Sequence, residues 1–304
     1  MTRVIHTAQA LVDAVMEVPG LPRRGGNVMA SSYRRYAGGA VTILLAAARS
    51  GARAVHAGAV GTGPNGDLIR QALEADGVSL SAEPVLDVDT GVCVVLVEPG
   101  AERTFVTTQG AEREITVDSL AMSAPTAGDL VCISGYSLVG RTTEPLVTWL
   151  DTLATGVHVV LDPGATFVEV PPAVRDAVLA RTTVWTGNAE ESAALAGVDG
   201  ITESAEVLAT LLPEGAVVIV RDGPRGCLVR SEGRQVFVPG HPRRPLDTNG
   251  AGDTHTGVLL AERAAGAGWA DAAVRANAAA AIKVTRRGPD TAPTRAEIDA
   301  FLRG

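Results

Sequence analysis

Lysine is nearly absent from this chain, which has Lys283 as the only one in 304 residues. A Walker-type phosphate loop places a lysine directly after its glycines, whereas Lys283 follows alanines and an isoleucine, so that class of nucleotide-binding protein is excluded. The tetrapeptide AAIK that ends at Lys283 has the form of a protein-kinase motif, but no H-R-D or D-F-G accompanies it. Any phosphate that this chain binds must therefore meet arginines, backbone amides or a metal ion.

Closely spaced cysteines, an excess of basic residues and long apolar runs are also missing. Cys93, Cys132 and Cys227 form neither a C-x-x-C pair nor an even disulfide framework, which suits a reducing compartment. A net charge of −8 and a pI near 5.2 leave no basic stripe for nucleic acid. No apolar run approaches the roughly 18 residues of a membrane span, and Asp13 and Glu17 come too early for a secretory signal. We expect a cytoplasmic protein with a small-molecule partner and without a nucleic-acid or membrane partner.

Strand patterns alternate with helical patterns along most of the chain. Apolar, β-branched runs typical of buried strands occur at 52–60, 128–136, 157–164, 182–188 and 216–223. Segments with helical spacing, several of them ended by a glycine, occur at 38–51, 66–77, 144–156, 190–197 and 204–212. This alternation predicts an α/β fold with a doubly wound, mostly parallel sheet flanked by helices.

Two stretches, 14–37 and 91–108, break the alternation. In the second, an EPGAER turn joins two strand-like runs as a hairpin. We expect both stretches to form a small β-sheet lid over one edge of the large sheet, where ligands of open α/β folds bind. No repeat or low-complexity linker divides the chain, so we predict one domain over 1–304. The apolar segment VCVVLV needs cover on its outer face, which favours a homodimer through the lid.

The sequence DTNGAGDTH (247–255) leads directly into a segment with the composition of a helix. Gly250, Ala251 and Gly252 leave backbone N–H groups uncovered at the positive end of the helix dipole, which makes an anion hole. Asp253 follows in the first turn, where the dipole is expected to stabilise its charged form. A carboxylate beside an anion hole indicates a general base beside a phosphate. A purely structural role for Asp253, complementing the helix terminus, leaves the flanking glycines unexplained.

The chain resembles the PfkB, or ribokinase-like, carbohydrate kinases. DTNGAGD is similar to the C-terminal signature of that family, and 37–78 is similar to its N-terminal signature. GAERTFVTTQGA, ISGYSL, LDPG, TGNAEE, RDGPRGCLV and the C-terminal segment match in the same order. The resemblance implies a ribokinase-like fold and transfer of the γ-phosphoryl group of ATP to a sugar hydroxyl. It implies that Asp253 is the general base and that the amides of 250–252 hold the phosphoryl group.

The resemblance also implies where the sugar binds. Asp13 stands where the first strand of the family supplies a carboxylate to sugar hydroxyls, and Gly38 and Gly39 close the same pocket; an exposed acid at a strand end is the alternative for Asp13. Thr42 replaces the asparagine of the family helix, which indicates that a ribose contact is lost. Gln109, with Thr108, is expected to face the pocket from the lid. We expect a furanose-type sugar or derivative phosphorylated on a primary hydroxyl.

The nucleotide and metal positions come from the same resemblance. Asn188 and Glu191 match a site that organises Mg²⁺ through water, the alternative being an ordinary helix cap. For ATP, the matching positions are Arg221 in place of the usual threonine, Gly223, Gly226 and Asn277. A loop for a monovalent cation such as K⁺ is expected from Asp247 and the carbonyls of Lys283, Arg286 and Gly288. That loop is one residue shorter before Pro293, which leaves K⁺ dependence open.

Three other functions compete with a sugar kinase. A nucleoside kinase of the same fold presents similar hydroxyls, and a non-catalytic sugar sensor can be built on a kinase fold. Gly61, Gly63 and Gly66 satisfy G-x-G-x-x-G, with Asp87 about 20 residues further on, as in NAD-dependent oxidoreductases. Nothing downstream supplies a proton donor for hydride transfer as clearly as 247–253 supplies phosphate chemistry.

Overall fold

A computed structural model describes residues 2–100 and 102–304, and in these residues the chain forms thirteen β-strands and ten α-helices. The strands are β1 (Arg3–His6), β2 (Ala10–Glu17), β3 (Ser32–Gly39), β4 (Arg53–His56), β5 (Ser79–Leu80), β6 (Val92–Val97), β7 (Arg103–Thr107), β8 (Leu130–Ser134), β9 (His158–Asp162), β10 (Val184–Asn188), β11 (Val217–Arg221), β12 (Gly226–Ser231) and β13 (Arg234–Pro239). The helices are α1 (Ala40–Arg49), α2 (Pro64–Ala75), α3 (Val117–Ala121), α4 (Thr143–Thr152), α5 (Pro172–Leu179), α6 (Ala189–Ala196), α7 (Ile201–Leu211), α8 (Ala251–Ala264), α9 (Trp269–Lys283) and α10 (Arg295–Leu302).

The large sheet has nine strands in the order β13-β12-β11-β10-β9-β8-β1-β4-β5. All neighbours are parallel except at the β13 edge, where β12 pairs antiparallel with β11 and β13. Side chains alternate across this sheet, so that Val4 belongs to one buried cluster with α1, α8 and α9, and Ile5 to another with α4, α5 and α7. Because both faces are covered by helices, the strands read as continuous apolar runs. The predicted α/β architecture is confirmed.

A separate four-stranded sheet, which we call the lid, has the order β3-β2-β6-β7. It comes from the two predicted stretches, but its bounds differ from the prediction. The first lid strand, β2, begins at Ala10, and residues 18–31 lie outside the strands. Asp13 is therefore in the second strand of the chain, in the middle of the lid, and not in β1 as the family resemblance implied.

The helical predictions agree with the structure, as α1, α2, α4, α6 and α7 cover the five segments with helical spacing. The first turn of α8 begins directly after Gly250, as the composition indicated. Of the helices in the described residues, none has both the length and the hydropathy that crossing a bilayer requires.

Candidate active site

Three neighbouring parallel strands deliver polar side chains to one edge of the large sheet. β9 ends at Asp162, β10 at Asn188 and β11 at Arg221. Because the carboxyl ends of parallel strands meet at one edge, these residues come together although they are far apart in sequence. Helix α8 begins at the same edge, which places the 250–253 turn beside them.

Arg221 lies at the centre of this group and is 12% exposed. Its Nη1 donates to the carbonyl of Gly252 at 3.0 Å and to Thr256 Oγ1 at 3.0 Å. The same nitrogen is 3.3 Å from Asp162 Oδ2, and Nη2 is 3.6 Å from Glu191 Oε2. The sequence placed Arg221 with the nucleotide; the structure additionally joins it to the two carboxylates and to the start of α8. Asp162 was not predicted as a site residue, because only the folded chain brings it next to Arg221 and Thr256.

The first turn of α8 provides the predicted anion hole in a slightly different form. Gly250 has a φ of 76°, a left-handed conformation that glycine adopts without strain. The N–H of Ala251 donates to the Thr248 carbonyl at 3.2 Å and is thus engaged. Among residues 2–100 and 102–304, no protein acceptor is found for the N–H groups of Gly250, Gly252 and Asp253. These three amides are free to meet an anion, whereas that of Ala251 is engaged within the protein.

The carboxyl group of Asp253 adjoins these amides in the wall of a cavity. The helix dipole was expected to favour its charged form, and this expectation is wrong in sign. Burial and the negative charge of Asp162 raise the pKa of Asp253 to about 7, although Arg221 acts in the opposite direction. Asp13 adds a smaller contribution that also raises it. Desolvation by burial therefore outweighs the helix terminus.

Asn188 and Glu191 form a reciprocal cap at the start of α6. Glu191 N donates to Asn188 Oδ1 at 2.7 Å, and Asn188 N donates to Glu191 Oε2 at 2.8 Å. This is the capping alternative weighed for the sequence, yet both residues also line the cavity. Burial raises the pKa of Glu191, and Arg221 opposes this. Glu191, Asp162 and Asp253 are hard oxygen donors of the kind that Mg²⁺ takes, usually together with water and substrate phosphates. Within the described ranges, no cluster of three or more His, Cys, Asp or Glu is arranged to hold a metal on its own.

The cavity above these carboxylates has a volume of about 720 Å³, a size typical of small-molecule sites. Asn277 lies in its wall and donates Nδ2 to the carbonyls of Val238 (3.0 Å) and Pro239 (3.2 Å). Gly226, at a φ of 124°, leaves no room for a side chain because the Val238 carbonyl lies 2.1 Å from the position of a Cβ. Asn277 and Gly226 are positions that the family resemblance assigned to ATP. The same wall of the cavity also contains Gly223, Gly240, His241, Ala280, Ala281 and Val284.

Gly38 and Gly39 hold Asp13 and α1 in close proximity. A Cβ on Gly38 would lie 2.4 Å from Asp13 Oδ2, so the missing side chain makes room for the carboxylate. Gly39 has a φ of 64° and caps the N-terminus of α1. Burial raises the pKa of Asp13 to about 6. The predicted grouping of these three residues agrees with the structure, and Asp13 is a partly buried acid in mid-strand and not an exposed one at a strand end.

The structure places Thr42 behind the start of α8 and Gln109 beyond the end of β7, and their contact with a sugar stays a prediction. Thr42 is 1% exposed, and its methyl group lies 3.1 Å from the position that a Cβ on Gly250 would take. It packs behind the start of α8 and, like Asp13, Gly38 and Gly39, does not line the larger cavity. Gln109 is exposed just beyond the end of β7 and also lies outside the larger cavity.

The lid reaches the start of the 247–255 segment through Arg103, a residue that sequence reasoning missed. Its Nη2 donates to Asp247 Oδ1 at 2.8 Å and to Thr248 Oγ1 at 3.3 Å. A smaller cavity of about 150 Å³ separates the inner face of the lid from this segment and is lined by Val15, Arg34, Tyr36 and Val95 among others. Arg103 lines both cavities, and only the fold brings it within reach of Asp247.

Lys283, Arg286 and Gly288 lie opposite Asp247, as the cation-loop resemblance implied. Lys283 faces Asp247 with its ammonium group, however, and not with its carbonyl. The N–H of Gly288 donates to Asp247 Oδ2 at 3.0 Å. These residues therefore lie close together in the structure. That their oxygen atoms surround an ion stays a prediction.

The G-x-G-x-x-G motif does not form a dinucleotide site. The carboxylate of Asp89 accepts the N–H groups of Asn65 (3.1 Å) and Gly66 (2.9 Å) at the start of α2. That helix terminus, where a pyrophosphate would bind, is thus capped by the protein itself. Asp87 lies in an exposed turn. The glycines serve close packing, since a Cβ on Gly66 would lie 1.9 Å from the Gly61 carbonyl.

Comparison with known proteins agrees with this geometry. The profile of the pfkB family of carbohydrate kinases matches residues 1–295. The uncharacterized sugar kinase YegV of Escherichia coli (strain K12) is 32% identical over 298 residues, which cover 97% of this chain and 92% of that protein. Ribokinase of Arabidopsis thaliana in complex with ribose and ATP superimposes with a TM-score of 0.83 at 21% identity and full coverage of both chains. Fructokinase of Vibrio cholerae O395, with fructose, ADP and calcium, gives 0.80 at 26% identity over 99% of each.

Proposed function

The chain belongs to the PfkB family of carbohydrate kinases, and from this premise we propose that it transfers the γ-phosphoryl group of ATP to a primary hydroxyl of a small sugar or sugar derivative. The observation that carries the proposal is the position of Asp253. Its carboxyl group, with a pKa raised to about 7, adjoins the free amides at the start of α8 in the wall of the larger cavity.

Asp253 acts as the general base. A base is most effective when its pKa lies near the working pH, and about 7 meets this condition. Asp253 accepts the proton of the acceptor hydroxyl while the new O–P bond forms and the bond to the β-phosphate oxygen breaks, so that ADP leaves. The N–H groups of Gly250, Gly252 and Asp253 stabilise the charge on the phosphoryl oxygens during this step.

Arg221 supplies a fixed positive charge next to the anion hole. It lies against Asp162 and Glu191, so its charge offsets part of their repulsion toward phosphate. Glu191 and Asp162 would hold Mg²⁺ through water, and the metal supplies charge neutralisation between the phosphates. Gly223, Gly226 and Asn277 line the part of the larger cavity that the nucleotide base and ribose would fill.

The acceptor would bind between the lid and α1. Asp13 takes hydrogen bonds from ring hydroxyls, and the diglycine keeps its carboxylate close to the start of α1. The negative charge of Asp13 contributes to the raised pKa of Asp253. The acceptor would therefore lie in the space between these two carboxylates. A primary hydroxyl extends furthest from a furanose ring and reaches Asp253 with the least crowding. Two copies of the chain would associate through their lids.

The test is an ADP-release assay of the purified protein with Mg²⁺ and a panel of ribose, ketohexoses, sugar acids and nucleosides. We expect one sugar class to be phosphorylated, and Asp253→Asn to lower kcat at least about 100-fold with nucleotide binding retained. Because ionisation of Asp253 is disfavoured in the folded state, the contribution of this carboxyl group to stability falls as pH rises from about 4 to about 7, so the variant should melt no lower than wild type at pH 8. Turnover of Asp253→Asn close to wild type would contradict the base role.

A further inference from the structure

The turn at 283–289 packs against the segment that precedes the anion hole. Leu246 N and Asp247 N donate to the Val284 carbonyl at 2.7 and 3.1 Å. The Pro289 carbonyl lies 3.1 Å from the position that a Cβ on Gly250 would take. A shift of this turn would therefore move the start of α8.

The contacts of this turn do not fit a bound monovalent cation. The carbonyl of Lys283 accepts the N–H of Arg286 at 2.9 Å, and that of Gly288 accepts the hydroxyl of Thr291 at 2.8 Å. The remaining two carbonyls, of Asp247 and Arg286, each lie 3.4 Å from Nζ of Lys283. Each proposed backbone ligand already has a donor from the protein.

The carboxylate of Asp247 is equally engaged. Its Oδ1 accepts Arg103 Nη2 at 2.8 Å and Asn249 N at 2.9 Å, and its Oδ2 accepts Gly288 N at 3.0 Å. An ion at this carboxylate would have to share its oxygens with these three donors.

Lys283 is fully buried at the end of α9, and it is the only lysine of the chain. Burial lowers its pKa, and the charge of Asp247 opposes this change. Charges are rarely buried to this degree unless they are paired. Its ammonium is a compact unit charge that carbonyl oxygens can surround, as they surround a monovalent metal ion.

We propose that the ammonium group of Lys283 takes the place of a monovalent cation in this chain. It draws the carbonyls of Asp247 and Arg286 together and so positions the anion hole, which makes turnover independent of K⁺. Lys283 is thus a positioning residue and touches no substrate. The inference rests on the proposed kinase function for its activity readout, but not for its stability readout.

The first experiment compares wild-type protein in K⁺, Na⁺ and tetramethylammonium chlorides at equal ionic strength. We expect kcat and the melting temperature to be the same in all three salts, with kcat varying less than about two-fold. An increase of kcat by about ten-fold or more in K⁺ would overturn the proposal, since it would correspond to a bound activating ion.

The second experiment uses Lys283→Met, which keeps the length of the side chain and removes its charge. In tetramethylammonium we expect kcat to fall at least about ten-fold, because small displacements of catalytic groups are costly. K⁺ or NH₄⁺ should restore part of this loss and raise the melting temperature of the variant, but not that of wild type. Arg303→Met removes a positive charge from the exposed C-terminus and should behave like wild type.

A Lys283→Met protein with wild-type turnover in every salt would overturn the proposal. If that variant does not fold, the same measurements are made on Lys283→Gln. Together with the comparison of the wild-type protein in the three salts, they test the proposal. If the wild-type protein shows no kinase activity, the proposed function fails, whereas the melting temperatures of wild type and Lys283→Met in K⁺ and tetramethylammonium still test the role of Lys283.

Discussion

Asp253 is surrounded by charges of both signs, and these charges set when it can act as a base. Asp162 and Asp13 raise its pKa, whereas Arg221 lowers it. Because a base must be deprotonated, kcat/KM should rise with pH through about 7 and level off above it. We call this rise the acidic limb of the pH profile. The pH at which it occurs depends on the pKa of Asp253, whereas the height of the plateau depends on the rate of the reaction.

Two substitutions should move the acidic limb in opposite directions. Arg221→Gln removes the charge that lowers the pKa of Asp253, so the limb should shift to higher pH. Asp162→Asn removes a charge that raises it, so the limb should shift to lower pH. The measurement is kcat/KM from pH 5 to 9 for both variants, with Asp151→Asn as a control at an exposed position of α4. Shifts in the same direction, or none, would contradict the proposed surroundings of Asp253.

Sequence reasoning proposed Asp253 as a base but predicted its pKa shift with the wrong sign. The helix terminus is visible in the sequence, whereas burial and the approach of Asp162 are properties of the folded chain. Arg103 was missed for the same reason, since its partner Asp247 is 144 residues away. Asp13 was found only because the family resemblance supplied a role for it.

At the scale of elements, the lid is joined to the rest of the site by a few polar contacts. Arg103 bonds to Asp247, and Glu17 pairs with Arg287 at 2.6 Å. Tyr36 packs on Gly288, where a Cβ would lie 2.7 Å from its ring. Val12 and Ala37, at the base of the lid, belong to the buried cluster of α1 and α8. The far part of the lid, which is held by these polar contacts, is therefore the part that can move when an acceptor binds.

Arg103→Met should weaken the closed position of the lid. We expect the acceptor to slow amide hydrogen exchange in β3 and β6 of wild type, and the variant to lose most of this protection. Its acceptor KM should rise about five-fold or more, since a charged hydrogen bond is worth about 1.5–3 kcal/mol. Arg35→Met is the matched control, because Arg35 lies on the opposite face of the lid and bonds to Asn65. Exchange that the acceptor leaves unchanged in wild-type β3 and β6 would show that this sheet is not a lid.

The buried strands and the hairpin β6–β7 were predicted closely, whereas the bounds of β2 and β3 were not. β9, β10 and β11 are apolar on both faces, and such runs have few interpretations. β2 contains Asp13 and β3 contains consecutive arginines, so neither resembles a buried strand in the sequence. β2 pairs with β3 up to the diglycine and with β6 on its other side, contacts that only the folded chain reveals.

At the scale of the molecule, the two faces of the lid differ. The inner face carries Asp13, Val15 and Arg103, of which Val15 and Arg103 line the smaller cavity. The outer face leaves Tyr33 56% and Val106 59% exposed. Exposed apolar side chains grouped on one sheet commonly mark an interaction surface. Sequence composition indicated that this face needs cover, but it did not show which side chains remain exposed.

We therefore expect a homodimer in which the outer lid faces pack together. At micromolar concentration, light scattering after gel filtration should give twice the chain mass of 31.1 kDa. Val106→Asp buries a charge in that interface and should yield monomers, because an unpaired buried charge costs several kcal/mol. Phe105→Asp is the matched control, since Phe105 is 56% exposed on the adjacent position of β7 but faces inward, so this variant should remain dimeric. A wild-type protein that is monomeric throughout this range would contradict the dimer, and dissociation of both variants would place the interface elsewhere.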